Sequence, residues 1–379
     1  MNSAVTPLFQ PLSVRSLTLR NRIVMSAMTR SFSPGGVPGD DVATYYGRRA
    51  ANEVGLILTE GVGVDDAAAL DNPRIPVMHG EAALAGWRRV TERVHAAGGL
   101  IFPQLWHQGV LRDARIAANP ALSNRSPSGI SGPIGQTSLT PEFLETIRAP
   151  IAALTEEQVA DLVAAFARSA GFAMEAGFDG IALHGGHGYL IDSFLWGGTN
   201  RRTDRYGGDH VGRTRFVVEL VRAIRAVIGP DRPILLRFSQ HKQQDYLARL
   251  AETPQQLGEI LAPIADAGVD IFDASARRFW IPAFEGSDLN LAGWAKKLTG
   301  KIAMAVGSVG LGASLEESFA SGEAKILDNI PMLMERFNRG DFDLVAVGRA
   351  ILADPAWVRH LRDDGPRVAF EKAMLGRLE

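Results

Sequence analysis

The sequence predicts an α/β protein with a (β/α)8 barrel, a single domain over residues 1–379. Three observations predict it. Eight short apolar runs recur along the chain, segments of helical spacing lie between them, and no break in composition separates two halves. Parallel strands covered on both faces read as near-continuous apolar runs, and eight strand–helix units in series fit a closed barrel better than an open doubly wound sheet.

The runs come in order. RIVMSAMT (22–29) leads into Thr29 and Arg30, GLILTEGV (55–62) carries Glu60 and Gly61, and LIFPQLW (100–106) carries Gln104 and Trp106 and is followed by His107. After this third run, residues 110–150 are rich in Pro, Ser, Gly and Asn. Connections of that length in a compact domain are usually functional, so the stretch reads as a lid. Next, Thr155 to Gly177 has apolar residues at helical spacing, opens on the Thr155/Gln158 capping pattern and stops at a glycine. GIALHG (180–185) brings His184 and, just beyond it, His187 and Tyr189; ILLRFS (234–239) contains Arg237. IFDAS (271–275) precedes a second long connection, 277–293, with Phe279, Trp280 and Phe284. IAMAVGSV (302–309) holds Gly307 and Ser308, and LVAVGR (344–349) ends in Gly348 and Arg349. The intervening stretch 312–343 is long and carries no assigned role.

Composition narrows the function. With 46% hydrophobic and 22% charged residues the chain can bury a sizeable core, and 40 Lys plus Arg against 42 Asp plus Glu give no long-range attraction to nucleic acid or anionic membrane. Small-molecule partners are expected. The absence of cysteine excludes disulfides, thiolate metal sites, cysteine nucleophiles and cysteine-ligated iron–sulfur clusters. No run approaches a membrane span and the first residues do not read as a signal peptide, so a cytoplasmic location, as monomer or homodimer, is expected.

Barrel active sites form where strands end, and here those ends are polar. Glycines after the seventh and eighth strands either admit a phosphate to the backbone, with Arg349 closing the site, or merely make tight turns. Arg237 lies within an apolar run and needs an anionic partner, which a structural salt bridge or a ligand would supply equally well. Gln104 either joins a core network or reads the edge of a planar polar ring. Residues three apart on a strand point to opposite faces, so His184 and His187 converge only if Gly185 and Gly186 bend the chain. A converged pair polarises one oxygen, with Tyr189 as a proton source; a metal reading requires a third ligand such as His107; a purely structural pair needs neither.

Taken together, LFQPLSVRSLTLRNRIVMSAMTR, FPQLWHQG, GFDGIALHGGHGYLIDSFLWGGTNRRTDRYGG and LVAVGRAILADP resemble, in order, four motifs of the Old Yellow Enzyme family of FMN-dependent ene-reductases. The resemblance spans nearly the whole chain. It implies FMN as cofactor and NAD(P)H as reductant, with hydride passing through flavin N5 to the β-carbon of activated alkenes such as α,β-unsaturated carbonyls, and nitro compounds or nitrate esters as further substrates. It implies that Ala27, Met28, Thr29 and Gly61 lie along the flavin, that Gln104 and Arg237 hold its pyrimidine edge, and that Gly307, Ser308, Gly348 and Arg349 receive the phosphate. His184, His187 and Trp106 would meet the substrate and Tyr189 would donate the proton, with no metal. Two departures stand out: Ala27 replaces the family's proline, and Leu70 or Asp71 stands where many members place a pocket tyrosine. The alternatives are a metal-dependent barrel hydrolase using His184 and His187, and a flavin-binding protein of low turnover.

Overall fold

The structure, a computed structural model, describes residues 2–379. Eight parallel strands close into a barrel in chain order: Ile23–Met25, Leu56–Gly63, Ile101–Trp106, Ile181–His184, Ile234–Ser239, Ile271–Ser275, Ile302–Val306 and Leu344–Val347, the last pairing with the first. Each coincides with one of the eight apolar runs, and the helices between them ring the outside. The helix Glu156–Glu175 starts where its sequence predicts, with Thr155 and Gln158 exchanging both bonds of the capping box.

Alternation along the strands divides the core in two. Val24, Leu56, Leu58, Phe102, Ala182, Leu235, Ile271, Met304, Leu344 and Ala346 fill the barrel interior, while their neighbours Ile23, Ile57, Ile101, Ile181, Ile234 and Val345 pack outward on the helices. The same two-residue period carries Gln104, His184, Arg237 and Asp273 inward at the next level up. An apolar lower barrel therefore passes into a polar upper one within a single turn of the strand pattern.

The sequence reading missed how the bottom is sealed. A hairpin, Leu12–Val14 paired with Leu17–Leu19, turns at Arg15 (φ 52°) and inserts Val14 and Leu19 into the interior cluster. It is fastened by Asp270, just before the sixth strand. One carboxylate oxygen accepts Arg15 Nε at 2.7 Å; the other accepts Arg225 Nη2 at 2.8 Å and the backbone N–H of Ile234 at 2.9 Å.

The stretch 110–150 does not behave as a lid. Its turn Gly109–Leu111 and helix Pro141–Arg148 bury Val110, Leu111, Phe143 and Ile147 in a small apolar cluster against which Tyr189 packs, and none of its residues lines the cleft described below. It buttresses the site from behind. The long 312–343 stretch, given no role from sequence, holds a short helix, Leu315–Ser321, opened by a Ser314/Glu317 capping box, and that helix does form part of the cleft wall. Among the described residues no helix is long and apolar enough to cross a membrane.

Because Asp270 joins hairpin, outer helix and strand, Asp270→Ala strands three donors at once. It is expected to lower unfolding free energy by about 2–3 kcal/mol in urea titrations; a loss under about 0.5 kcal/mol would show that the hairpin is not held this way.

Candidate active site

One cleft of about 340 Å³ opens at the carboxyl end of the barrel strands. It is lined by every residue that the family resemblance assigns to flavin or substrate: Ala27, Met28, Thr29, Gly61, Gln104, Trp106, His184, His187, Tyr189, Arg237, Gly307, Ser308, Gly348 and Arg349. Seven strand ends, far apart in sequence, thus converge on one space. Leu70 and Asp71 are not among the lining residues: Leu70 fills the space beside Gly63, and Asp71 is bonded to Gln108.

Gly61 shows why a glycine stands near the end of the second strand, where its register shifts. A Cβ there would lie 2.3 Å from Trp106 Cε3, so the missing side chain is what lets the indole lie across the cleft wall. Trp106 in turn stacks on His184 (centroids 5.6 Å apart) and meets Tyr189 edge-on at 4.9 Å.

The bend at the histidines falls later than the sequence suggests. His187 and Gly188 have φ of 66° and 83°, so the chain reverses there, whereas Gly185 and Gly186 permit close approach: a Cβ on the first would sit 2.9 Å from the Arg237 carbonyl, on the second 3.0 Å from Ser239 Oγ. The turn is pinned from below. Asp192 accepts the Gly188 N–H at 2.6 Å and the buried Lys242 ammonium at 2.8 Å, and Ser239 Oγ accepts the His187 N–H at 2.9 Å.

With that bend the two imidazoles do converge, but on each other. His184 Nε2 and His187 Nδ1 are 2.9 Å apart, and His187 Nε2 is 2.8 Å from Ser275 Oγ, giving a chain of three hydrogen-bonding groups. Both rings are neutral. Burial holds their pKa values well below the ordinary histidine range, and for His184 the Arg237 charge adds to it. His184 Nδ1 is buried with no partner. A ligand oxygen clamped by both rings must therefore displace one of the two bonds His187 makes, to His184 or to Ser275.

A zinc site finds no third ligand. His107 takes the Gly109 N–H on Nδ1 at 3.0 Å and turns Nε2 toward Asp66 at 3.7 Å. Among the described residues no group of three or more His, Cys, Asp or Glu side chains is arranged to hold a metal ion.

Arg237 has its anion inside the protein. Nε donates to Asp273 Oδ2 at 2.5 Å across adjacent strands, and Nη2 donates to Ser26 Oγ at 2.9 Å. The chain itself thus supplies a salt-bridge partner, Asp273, which the sequence reading did not identify. Its signal was present, an aspartate inside the sixth apolar run at the same level of the barrel. Beside it, Gln104 is 2% exposed and its Nε2 has no acceptor, a donor edge left open at the floor of the cleft.

The other end of the cleft is different. At Gly307 (φ 141°) a Cβ would lie 2.5 Å from the Ala276 carbonyl, so only glycine lets the seventh strand turn there. Arg349 donates to the carbonyls of Ala313 and Ser314 at 2.8 and 2.9 Å and to the hydroxyls of Ser308 and Ser318, all neutral oxygens; it has no carboxylate partner. A phosphate fits this end, and a planar polar ring fits the Gln104 edge, so the donor set suits FMN laid from strand three to strand eight. Ser308 Oγ is already bonded to the Arg277 and Ala313 carbonyls and both Nη groups of Arg349 to neutral oxygens, so a phosphate here would meet backbone N–H groups and the positive charge of Arg349.

Tyr189 keeps its proton. Burial, with Asp71 and Tyr246 nearby, holds its phenol well above the ordinary range. Further cleft residues went unnoticed in the sequence because nothing local marks them: Ser26, His241, Gln243, Ser275, Arg277, Glu316 and Phe319.

Behind Thr29, Glu60 accepts the backbone N–H groups of Arg30 and Ser31 at 2.8 and 2.9 Å, fixing the chain as it leaves the first strand. Burial pushes its pKa up to about 7, partly offset by those two bonds.

The sequence matches a model of the NADH:flavin oxidoreductase / NADH oxidase family over residues 7–367. It is 36% identical over 259 residues to 12-oxophytodienoate reductase 7 of Oryza sativa subsp. japonica (66% of this chain, 62% of that protein). It is also 36% identical over 236 residues to flavin oxidoreductase hxnT of Emericella nidulans (61% and 58%). The matched stretch thus spans less than two thirds of these relatives. Among solved structures, morphinone reductase in complex with tetrahydroNAD superposes with TM-score 0.80 at 26% identity over 98% of this chain and 96% of that one. The old yellow enzyme homologue from Zymomonas mobilis shares the fold, with TM-score 0.78 at 24% identity over 98% of both chains.

Glu60 gives a pH test. Its folded pKa is raised, so between the ordinary carboxylate range and about 7 the folded protein holds a proton that the unfolded chain has released, and stability falls as pH rises through that window. Glu60→Gln removes this term. Measured from pH 5 to pH 8, the wild type should lose on the order of 2–3 kcal/mol relative to the variant; a parallel or opposite pH dependence contradicts the assignment.

Proposed function

The chain belongs to the NADH:flavin oxidoreductase / NADH oxidase family, and from that premise we propose that it is an FMN-dependent, NAD(P)H-driven reductase of activated alkenes. The observation that carries the proposal is the convergence of polar residues from seven strand ends on one cleft, with a ring-edge donor at one end and an arginine lacking a carboxylate partner at the other. FMN, once bound, would supply the two-electron redox chemistry between NAD(P)H and a second substrate.

The chain's own groups do the rest. Gln104 and Arg237 would hold the pyrimidine edge, Ala27, Met28, Thr29 and Gly61 would line the ring, and the backbone at Gly307, Ser308 and Gly348 with Arg349 would receive the phosphate. Arg237 brings one positive charge close to the ring, already oriented by Asp273 and Ser26, so no reorganisation is needed when negative charge develops there. The substrate's carbonyl or nitro oxygen enters against Trp106 and takes the place of the bond between His184 and His187. The two neutral imidazoles then donate to it and lower the energy of the developing enolate. Tyr189, protonated at any working pH and wedged between Trp106 and His184, delivers a proton to the α-carbon. Nitro compounds and nitrate esters present the same oxygen to the same pair and are the second substrate class.

The purified protein should be yellow. Under anaerobic conditions NADPH or NADH should bleach it and cyclohexenone should restore the colour. Tyr189→Phe should slow the second step at least about tenfold while affecting the first far less; equal slowing of both, or of neither, removes Tyr189 as donor. A flavin that no activated alkene or nitro compound reoxidises returns the protein to the low-turnover alternative.

A further inference from the structure

Three arginines line the cleft, and two are accounted for: Arg237 by Asp273 and Ser26, Arg349 by the phosphate end. Arg277, in the loop after the sixth strand, is not. Its Nη1 pairs with Glu316 on the Leu315–Ser321 helix, and its guanidinium lies over the Tyr246 ring, 3.8 Å from the centroid. Tyr246 OH is itself bonded to Ser138 Oγ. The remaining donors, Nε and Nη2, are buried and have no acceptor.

Those two nitrogens form the side-on edge of a guanidinium, the edge that takes a carboxylate through two parallel hydrogen bonds. Leaving it unmatched costs the folded chain free energy, so its natural acceptor lies outside the chain. Its neighbour supplies the contrast. Arg278 spends Nη2 on both carboxylate oxygens of Glu317 at 2.8 and 2.7 Å and does not line the cleft. The Arg277 backbone carbonyl accepts from Ser308, and its guanidinium reaches from Glu316, on the helix that also binds Arg349, across Tyr246 toward His241, whose ring is 5.0 Å from that of His187. It thus stands in the cleft wall between the Arg349 end and the histidine pair, within reach of a ligand that extends past His187.

We propose that Arg277 is a specificity-determining residue, binding the carboxylate of an acid whose other end is an activated alkene held at His184 and His187. This rests on the reading of the cleft given above. Glu316 and Tyr246 hold the guanidinium in place, so little side-chain freedom is lost when the acid docks.

Phenols stacked on the flavin report binding without turnover. The flavin-loaded protein is titrated, following flavin absorbance, with 4-hydroxybenzoate, 4-hydroxyphenylacetate and 4-hydroxycinnamate, each against its own amide. At least one acid should bind about tenfold or more tightly than its amide. That ratio should collapse toward one in Arg277→Gln, survive in part in Arg277→Lys, and persist in Arg278→Gln. Acids that bind no better than amides in the wild type, or a preference that survives Arg277→Gln, overturn the proposal while leaving the cleft reading intact. If Arg277→Gln loses FMN while Arg278→Gln retains it, the arginine serves the cofactor phosphate and the proposal is likewise overturned. If neither acids nor amides perturb the flavin, both readings fall.

Discussion

A guanidinium with almost no access to water holds the floor of the cleft together. Arg237 on the fifth strand binds Asp273 on the sixth and Ser26 beside the first, so one side chain ties together elements on opposite sides of the barrel mouth. Such a pair pays for its desolvation only through close geometry and complete bonding. Asp273 remains short of that, with Oδ1 unbonded. The consequence is a site whose positive charge is oriented before any ligand arrives. Removing either partner would leave a buried charge alone, which is why the sixth strand carries an aspartate inside an apolar run.

The same logic of neutral groups around a fixed charge extends up the wall. His184 and His187 are kept uncharged by burial and by Arg237, and Tyr189 is kept protonated by burial. Around Arg237 the wall therefore offers neutral donors: imidazole N–H, phenol O–H and the amide of Gln104. Such a surface favours a ligand that gains negative charge during reaction over one that carries it at the start. The hydrogen-bonded chain from His184 through His187 to Ser275 keeps these donors satisfied until an oxygen competes for them.

Most of this frame was legible in the sequence because closure of a parallel barrel is a strong constraint. Apolar runs fix the strands, the two-residue alternation fixes which side chains face inward, and the strand ends then list the site. What stayed hidden depends on contacts between segments distant in sequence. Asp273 meets Arg237 only across a strand pair; Arg277 and Glu316 meet only because the 312–343 stretch folds back over the cleft; the N-terminal hairpin is two three-residue strands too short to show a period. The late bend at His187 escaped notice because a non-glycine residue takes the positive φ, held there by Ser239 and Asp192. The 110–150 stretch illustrates the opposite error: its composition suggests a mobile cover, yet its few apolar residues suffice to pack it behind Tyr189.

The central claim is that the polar strand ends form one FMN site, with the phosphate held between the seventh and eighth strands. Stripping the flavin and measuring the affinity of the apoprotein for FMN and for riboflavin, by quenching of flavin fluorescence at one ionic strength, tests it directly. If the Gly307–Ser308 turn and Arg349 receive the phosphate, FMN should bind roughly a hundredfold or more tightly than riboflavin, and the gap should shrink as salt is raised. Equal affinities would mean that this end of the cleft does not recognise a phosphate, and the assignment of the site would fail with it.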